Sequence, residues 1–333
     1  MNVQQLLHML RGYLMVCLAT LNTPSFGQSD VLNVPRIAAT ASKQIYTASE
    51  LVCIGNDPNF PLDGAYSLGN ALDLSALSFA GIGSSEEPFV GSFYGNGYAI
   101  VGLCVKQNQD YTGLFRVIGQ GALVQDVLIQ GGVVQGRAYT GLLAGYNQGS
   151  IKKCTVQGKV SGTNDVGGLV GINGKQGEIH NSKALGIVKG SLYEVGGLVG
   201  CNLGYIADSR TAIQVQGVRL VGGLAGINDE TGIIEHCLAK GKINAEYFVG
   251  GLVGHNWFRG KVMHCIAQAE VIGKEFVGGL AGFNYAQAQL LKSSSACVVQ
   301  GTQYIGKVVG GNRGLISYGL VLQDRWGSRV AKP

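Results

Sequence analysis

The sequence predicts an all-β parallel solenoid with one rung per repeat of about 28 residues, and three observations predict it. Glycine fills 54 of 333 positions without a three-residue period, well above the usual ~7%. Hydrophobic residues make up 46% and charged residues only 14%, so the chain has a core to bury and is neither disordered nor collagen-like. One phrase also recurs: GLLAGYN, GGLVGIN, GGLVGCN, GGLAGIN, GGLVGHN, GGLAGFN and GKVVGGN. It ends at Asn147, Asn173, Asn202, Asn228, Asn256, Asn284 and Asn312, at intervals of 26, 29, 26, 28, 28 and 28 residues.

Each repeat reads as an apolar stretch ending in Asn, a glycine turn, a segment such as IIEHCLAKGKI, and a second turn. No ten-residue stretch between the phrases has helical spacing, which disfavours helix-containing solenoids. Two or three short strands per repeat are expected, each paired in parallel with its counterpart about 4.8 Å along the axis. About nine rungs follow. Glycine and the repeated Asn are expected at tight left-handed corners, and the seven asparagines are expected to form a structural amide ladder.

Four parts are expected along the chain. Residues 1–27 read as a signal peptide: Arg11 precedes the ten-residue apolar stretch Gly12 to Leu21, and Ser25-Phe26-Gly27 offers small residues before a cleavage point. Acylation at Cys17 is a weaker alternative, because Val16 stands where a small residue is needed. Residues 28–136 form an N-terminal cap and irregular first rungs. There Thr47-Ala-Ser-Glu50 is a capping box opening a short helix over the first rung. Residues 137–316 carry the repeats, and 317–333 form a C-terminal cap with Trp326 over the open core. No segment after the leader approaches ~18 apolar residues, so the mature chain is expected to be soluble, without a transmembrane helix.

Charge is uneven. Residues 28–140 hold five basic and nine acidic side chains (5 − 9 = −4), and residues 141–316 hold sixteen and ten (16 − 10 = +6). No cationic run interleaved with aromatics points to nucleic acid.

The phrase VGGLVGxN, followed by I-x-x-C and a G-x-V step, resembles the GLUG repeat of bacterial secreted and surface proteins over residues 137–316. YSLGNALDLSALSF, PFVGSFYGNGYAIVGLCV and YTGLFRVIGQGALVQDVLIQGGVVQG resemble the segment preceding such repeats in filamentous-haemagglutinin-like adhesins and IgA-specific metallopeptidases. The resemblance implies a right-handed parallel β-helix displayed outside the cell, secreted or at the surface. The peptidase activity does not carry over, because no His-Glu pair and hence no HExxH occurs.

Several columns could carry chemistry. Cys154, Ser182, Ser209, Cys237, Cys265 and Ser293 share one repeat position and are expected to form an inward core ladder. Reduced thiols are the favoured state, although a Cys237–Cys265 bond is geometrically open and Cys53 with Cys104 could staple the lid. The preceding column, Lys153, Asn181, Asp208, His236, His264 and Lys292, then faces solvent. Asp208, His236 and His264 are its metal-ligating candidates, with a solvated face favoured over a metal site. Tyr139, Phe248, Phe276 and Tyr304 lie two positions before the glycine pair, with Asp165, Glu194 and Leu220 interrupting; Tyr247, Phe248, Phe276 and Tyr304 form a candidate ligand face, or core if they point inward.

The other acids are scattered through the repeat, the Asp165 and Glu194 pair reads as a solvated turn, and no nucleophile, phosphate-loop or cofactor motif occurs. The expectation is a non-catalytic, adhesin-like protein, without cofactor, that presents a lateral face to glycan or protein. A structural envelope or matrix module is the alternative, and a polysaccharide-acting enzyme ranks last.

Overall fold

The structure, a computed structural model, describes residues 42–318. The expected signal peptide and the C-terminal cap with Trp326 lie outside the described residues. Between them the chain is a parallel β-solenoid of about nine turns. The single helix among the described residues is α1 (Ala48–Cys53). It starts with a capping box: the Thr47 hydroxyl accepts the Glu50 N–H, and the Glu50 carboxylate accepts the Tyr46 and Thr47 N–H groups. Leu51 from this helix is fully buried and joins the core with Ile45 and Leu68.

A repeat contributes more strand than expected, four segments on three faces. In one rung Ile233–Glu235 lies in sheet A, Leu238–Asn244 and Tyr247–Gly250 lie in sheet B, and Val253–Asn256 lies in sheet C. Sheet C is a stack of eight parallel strands running from Phe115–Ile118 to Val309–Asn312. The core is built from aligned aliphatic columns. Ile151, Ile179, Ile206, Ile234, Val262 and Leu290 follow one another in register along sheet A, and all are buried. Alternation in each strand puts these residues inside and their neighbours outside.

The corners differ from expectation. None of the ladder asparagines has a positive φ; the left-handed corners are held instead by two columns of other residues. Lys153, Asn181, Asp208, His236, His264 and Lys292 turn the chain from sheet A to sheet B, with φ between 47° and 55°. Tyr139, Asp165, Glu194, Leu220, Phe248, Phe276 and Tyr304 turn it within sheet B, with φ between 51° and 59°. Neither column contains a β-branched residue, the kind for which this conformation is hardest.

Nine described glycines, Gly186 and Gly241 among them, do take positive φ, but most glycines of the recurring phrase serve a different need, close backbone approach. A Cβ on Gly222 would lie 2.0 Å from the Ala225 carbonyl oxygen, and one on Gly226 would lie 2.5 Å from the backbone of Glu194 in the preceding rung. The recurring glycines let the strand after each corner fold flat against sheet C.

The asparagines join the rungs. Asn147 Nδ2 donates to Asn173 Oδ1 at 2.8 Å, and the same bond runs on through Asn202, Asn228, Asn256, Asn284 and Asn312 at 2.8 to 2.9 Å. Second donations satisfy local carbonyls, for example Asn228 to Gly232 at 3.0 Å. The six from Asn147 to Asn284 are wholly buried.

Two predictions follow from these contacts. Asn228→Ala strands the Asn202 donor and the Asn256 acceptor, and should lower unfolding free energy by about 2–4 kcal/mol, read from urea denaturation. Asn312→Ala, at the exposed end of the ladder, should cost far less. At the His236 corner, His236→Val should destabilise by about 1–2 kcal/mol because of its branched Cβ, whereas His236→Asn should be close to neutral; thermal melting of both variants distinguishes them.

Candidate functional site

The inward cysteine and serine column is a hydrogen-bonded ladder following the first corner. Each hydroxyl or thiol donates to the carbonyl two residues back, as Ser209 does to Ala207 at 2.8 Å and Cys265 to Met263 at 3.1 Å. Each accepts the N–H of the rung before, as Ser182 Oγ does from Cys154 at 3.2 Å and Cys265 Sγ from Cys237 at 3.4 Å. A small side chain with one donor and a lone pair satisfies both demands. Cys154, Ser182, Ser209, Cys237, Cys265 and Ser293 are all buried. Burial pushes the Cys154 thiol up to about 12 and the Cys237 thiol well above its usual value. All seven described cysteines are free. The Cys53–Cys104 staple and the Cys237–Cys265 bond are therefore not formed, and Cys104 stands exposed.

Asp208, His236 and His264 are exposed, and the two imidazoles stack at 5.1 Å. They do not converge as a metal-ligating group. The left-handed corner accounts for the column, because Asn, Asp and His are the non-glycine residues enriched there.

The other corner column meets sheet C. The residue seven positions after each corner, immediately before the ladder Asn, points outward beneath it: Tyr146 after Tyr139, Cys201 after Glu194, His255 after Phe248 and Phe283 after Phe276. Phe248 and Phe276 stack at 4.9 Å, and Phe276 and Tyr304 at 4.5 Å, with rings within 8° of parallel. Phe283 meets Phe276 edge-on at 5.5 Å, and Trp257 stacks on Tyr285 at 4.1 Å beside them. The patch is neither free surface nor core. Phe248, Phe276, Phe283, Trp257 and Tyr285 are half-buried, whereas Tyr304 is 59% and Phe258 47% exposed. Tyr247 does not join it; its ring lies under the Arg219 guanidinium, 4.5 Å away.

His255 fills the floor of this patch. Its ring lies parallel to Phe248 at 5.5 Å and edge-on to Trp257 at 4.7 Å. It is 6% exposed, its Nε2 has no hydrogen-bond partner among the described residues, and burial holds its pKa down to about 3. The ring is therefore neutral and acts as one more aromatic surface.

Two rungs nearer the N-terminus the same columns carry acids. Donor atoms of Asp165, Glu194 and Cys201 all lie within 4.8 Å of one another, the one such group of three among the described residues. Burial, then the charge and hydrogen bond of Asp165, pushes the Glu194 carboxyl well above the usual carboxylate range. Burial also pushes the adjoining Asp229 up to about 6. The expected solvated turn is thus an acid pair with Asp165 buried and Glu194 half-buried, in which the charge of Asp165 favours the protonated form of Glu194. Two carboxylates and a thiol are also donors that zinc accepts.

The sequence reading considered the corner column alone and missed Tyr146, Cys201, His255, Phe283, Trp257 and Tyr285. The signal was present as a fixed offset of seven residues from corner to partner.

Fold and columns together define a β-solenoid repeat protein with a lateral side-chain face. The GLUG motif profile matches residues 136–161 and 162–189, so the chain carries GLUG-motif repeats on a β-solenoid. Among curated relatives, halomucin of Haloquadratum walsbyi is 31% identical over 100 residues, 30% of this chain and 1% of that protein. A protein of Evansella cellulosilytica described as a Gly-rich membrane protein is 34% identical over 169 residues, 40% of this chain and 19% of its own length. The chain thus spans under a fifth of either relative. A solved structure described as an immunoglobulin A1 protease from Bacteroides ovatus aligns at 17% identity with a TM-score of 0.47, covering 80% of this chain and 84% of that one. Among the described residues no helix is long and apolar enough to cross a membrane.

The acid pair generates a pH prediction. A carboxyl whose pKa is raised in the folded state contributes its full stability below the unfolded value and loses it as pH rises through the folded one. With Glu194 and Asp229 both shifted upward, these carboxyls should lower stability from about pH 4 towards neutrality, against an opposing rise from His255, whose depressed pKa adds stability as pH rises towards ~6.5. Glu194→Gln should raise the urea midpoint at pH 7 and flatten that slope. A Glu194→Gln variant whose midpoint follows the same pH slope as the native protein would contradict the assignment.

Proposed function

We propose that the chain is an extracellular, non-catalytic binding protein whose aromatic lateral face takes a glycan. The observation carrying this reading is the stack of Phe248, Phe276 and Tyr304, with rings 4.5 to 4.9 Å apart and edges open to solvent, flanked by Trp257 and Tyr285. Because the stacked rings cover one another's faces, the apolar side of a sugar ring would pack across their row of exposed edges and on the exposed Tyr304, leaving its hydroxyls wet. Parallel rungs repeat that platform at even steps, which suits a chain of sugar units lying along the solenoid axis.

The relatives support a place at the cell envelope, one being described as a membrane protein. A non-enzymatic role is favoured by the character of the acidic pair, which sits at adjacent left-handed corners with Asp165 buried and the Glu194 carboxyl pushed up towards its neutral form. A structural envelope module is the second reading; the backbone stack and its amide ladder favour it, since they need no ligand to be rigid.

Glycan-array binding by the full chain tests the two readings. Tyr304→Ser and Tyr285→Ser, which leave the His255 floor and its Phe248 cover in place, should each weaken binding by about tenfold with circular dichroism unchanged. Absence of any glycan binding by the native chain would favour the structural module.

A further inference from the structure

A second lateral face differs from the aromatic patch in both charge and chemistry. Four consecutive strands of sheet B, residues 155–162, 183–189, 210–216 and 238–244, present Lys159, Lys183, Lys189, Arg210, Lys240 and Lys242 on their solvent side. These four segments contain no acidic residue and no aromatic one. Lys183 and Arg210 are direct register partners on adjacent rungs, as are Gln214 and Lys242. At the usual sheet spacings the six cations occupy an area of about 14 by 20 Å. Only Lys242 is ion-paired among the described residues, to Glu270 on the next rung at 3.1 Å. Asp208 flanks the area at the first corner, and Glu194 is drawn under the second.

We propose that this face of sheet B binds a linear acidic polysaccharide, one carrying carboxylate or sulfate groups along an extended chain. Five uncompensated cations on adjacent parallel strands form a flat field of one sign, which attracts a polyanion and is screened by salt. Gln157, Gln214, Gln216 and Asn244 project between the cations, and their amides can both donate to and accept from sugar hydroxyls. The same face lacks the stacking rings with which single-stranded nucleic acid is held, and no helix or ribbon stands out from it to enter a duplex groove. It also carries no aromatic anchor for a lipid interface. The proposal is independent of the aromatic patch, which lies against sheet C.

The test measures binding of the full chain to polygalacturonate, dextran sulfate and neutral dextran, with duplex DNA and phosphatidylserine vesicles as competing polyanions. Binding to one or both charged polysaccharides and not to dextran is expected; which of the two binds distinguishes carboxylate from sulfate recognition. If about four cations are engaged, affinity should fall about a hundredfold between ~50 and ~200 mM salt. The combined variant Lys159→Gln, Lys183→Gln, Arg210→Gln, Lys240→Gln should lose at least about tenfold. Replacing the three lysines by Arg should retain binding and report on folding at the same positions. Tyr304→Ser, on the aromatic patch, should leave it unchanged. An unaffected glutamine variant, or duplex DNA or vesicles binding as tightly as the polysaccharides, would overturn the proposal.

Discussion

From Asn147 to Asn312 each rung is fixed to the next by an amide-to-amide hydrogen bond, and the lateral faces of these rungs inherit their position from that bond. Asn202 Nδ2 to Asn228 Oδ1 and its five counterparts leave no slack in register. A slip of one residue would turn every core side chain outward and would also remove a ladder partner from a site without water. Parallel stacking in register then converts each position of the repeat into a column. The solenoid thus makes surfaces by repetition, and a column's chemistry is amplified over as many rungs as keep the same residue type.

Corners impose a second constraint with functional consequences. At least two positions per rung adopt the left-handed conformation with side chains other than glycine, and Glu230, Phe258 and Gln287 add a third on their rungs, each at a cost. What occupies them is filtered first by backbone tolerance and only then by use. The Asp208, His236 and His264 column satisfies that filter through residues suited to the conformation. In the second column the filter admits both Phe248 and Glu194, and the outward sheet C residue beneath follows suit, His255 under one and Cys201 under the other. One architectural slot therefore carries an aromatic patch on some rungs and a pair of neighbouring acids on others.

Much of this was legible in the sequence. The interval between Asn-terminated phrases gave the solenoid, and the Thr47 to Glu50 box marked the helix. The small-residue column at Cys154 could be oriented inward from its small, mildly polar side chains, and strand alternation then put the preceding column outside. The assignment of left-handed corners to Gly and Asn applies to nine described glycines and to Asn181 but not to the ladder asparagines or to the glycines of the recurring phrase, because tight approach such as that of Gly226 to Glu194 and positive φ leave the same compositional trace. The aromatic face was half visible: Phe248 and Phe276 were found, but their contacts with His255 and Phe283 depend on the chain doubling back over sheet C. Periodicity within a single strand does not encode that fold-back, and the burial of Asp165 with Glu194 was hidden for the same reason.

Side-chain amide hydrogen exchange, followed by NMR on the uniformly 15N-labelled chain, tests the central claim most directly. If a continuous buried ladder sets the register, the Nδ2 protons from Asn147 to Asn284 should be strongly protected and should exchange together, while those of Asn312 exchange fast. Rapid exchange of the interior amides, with the backbone of the same rungs protected, would show that the rungs hold their register without the ladder and would contradict the account.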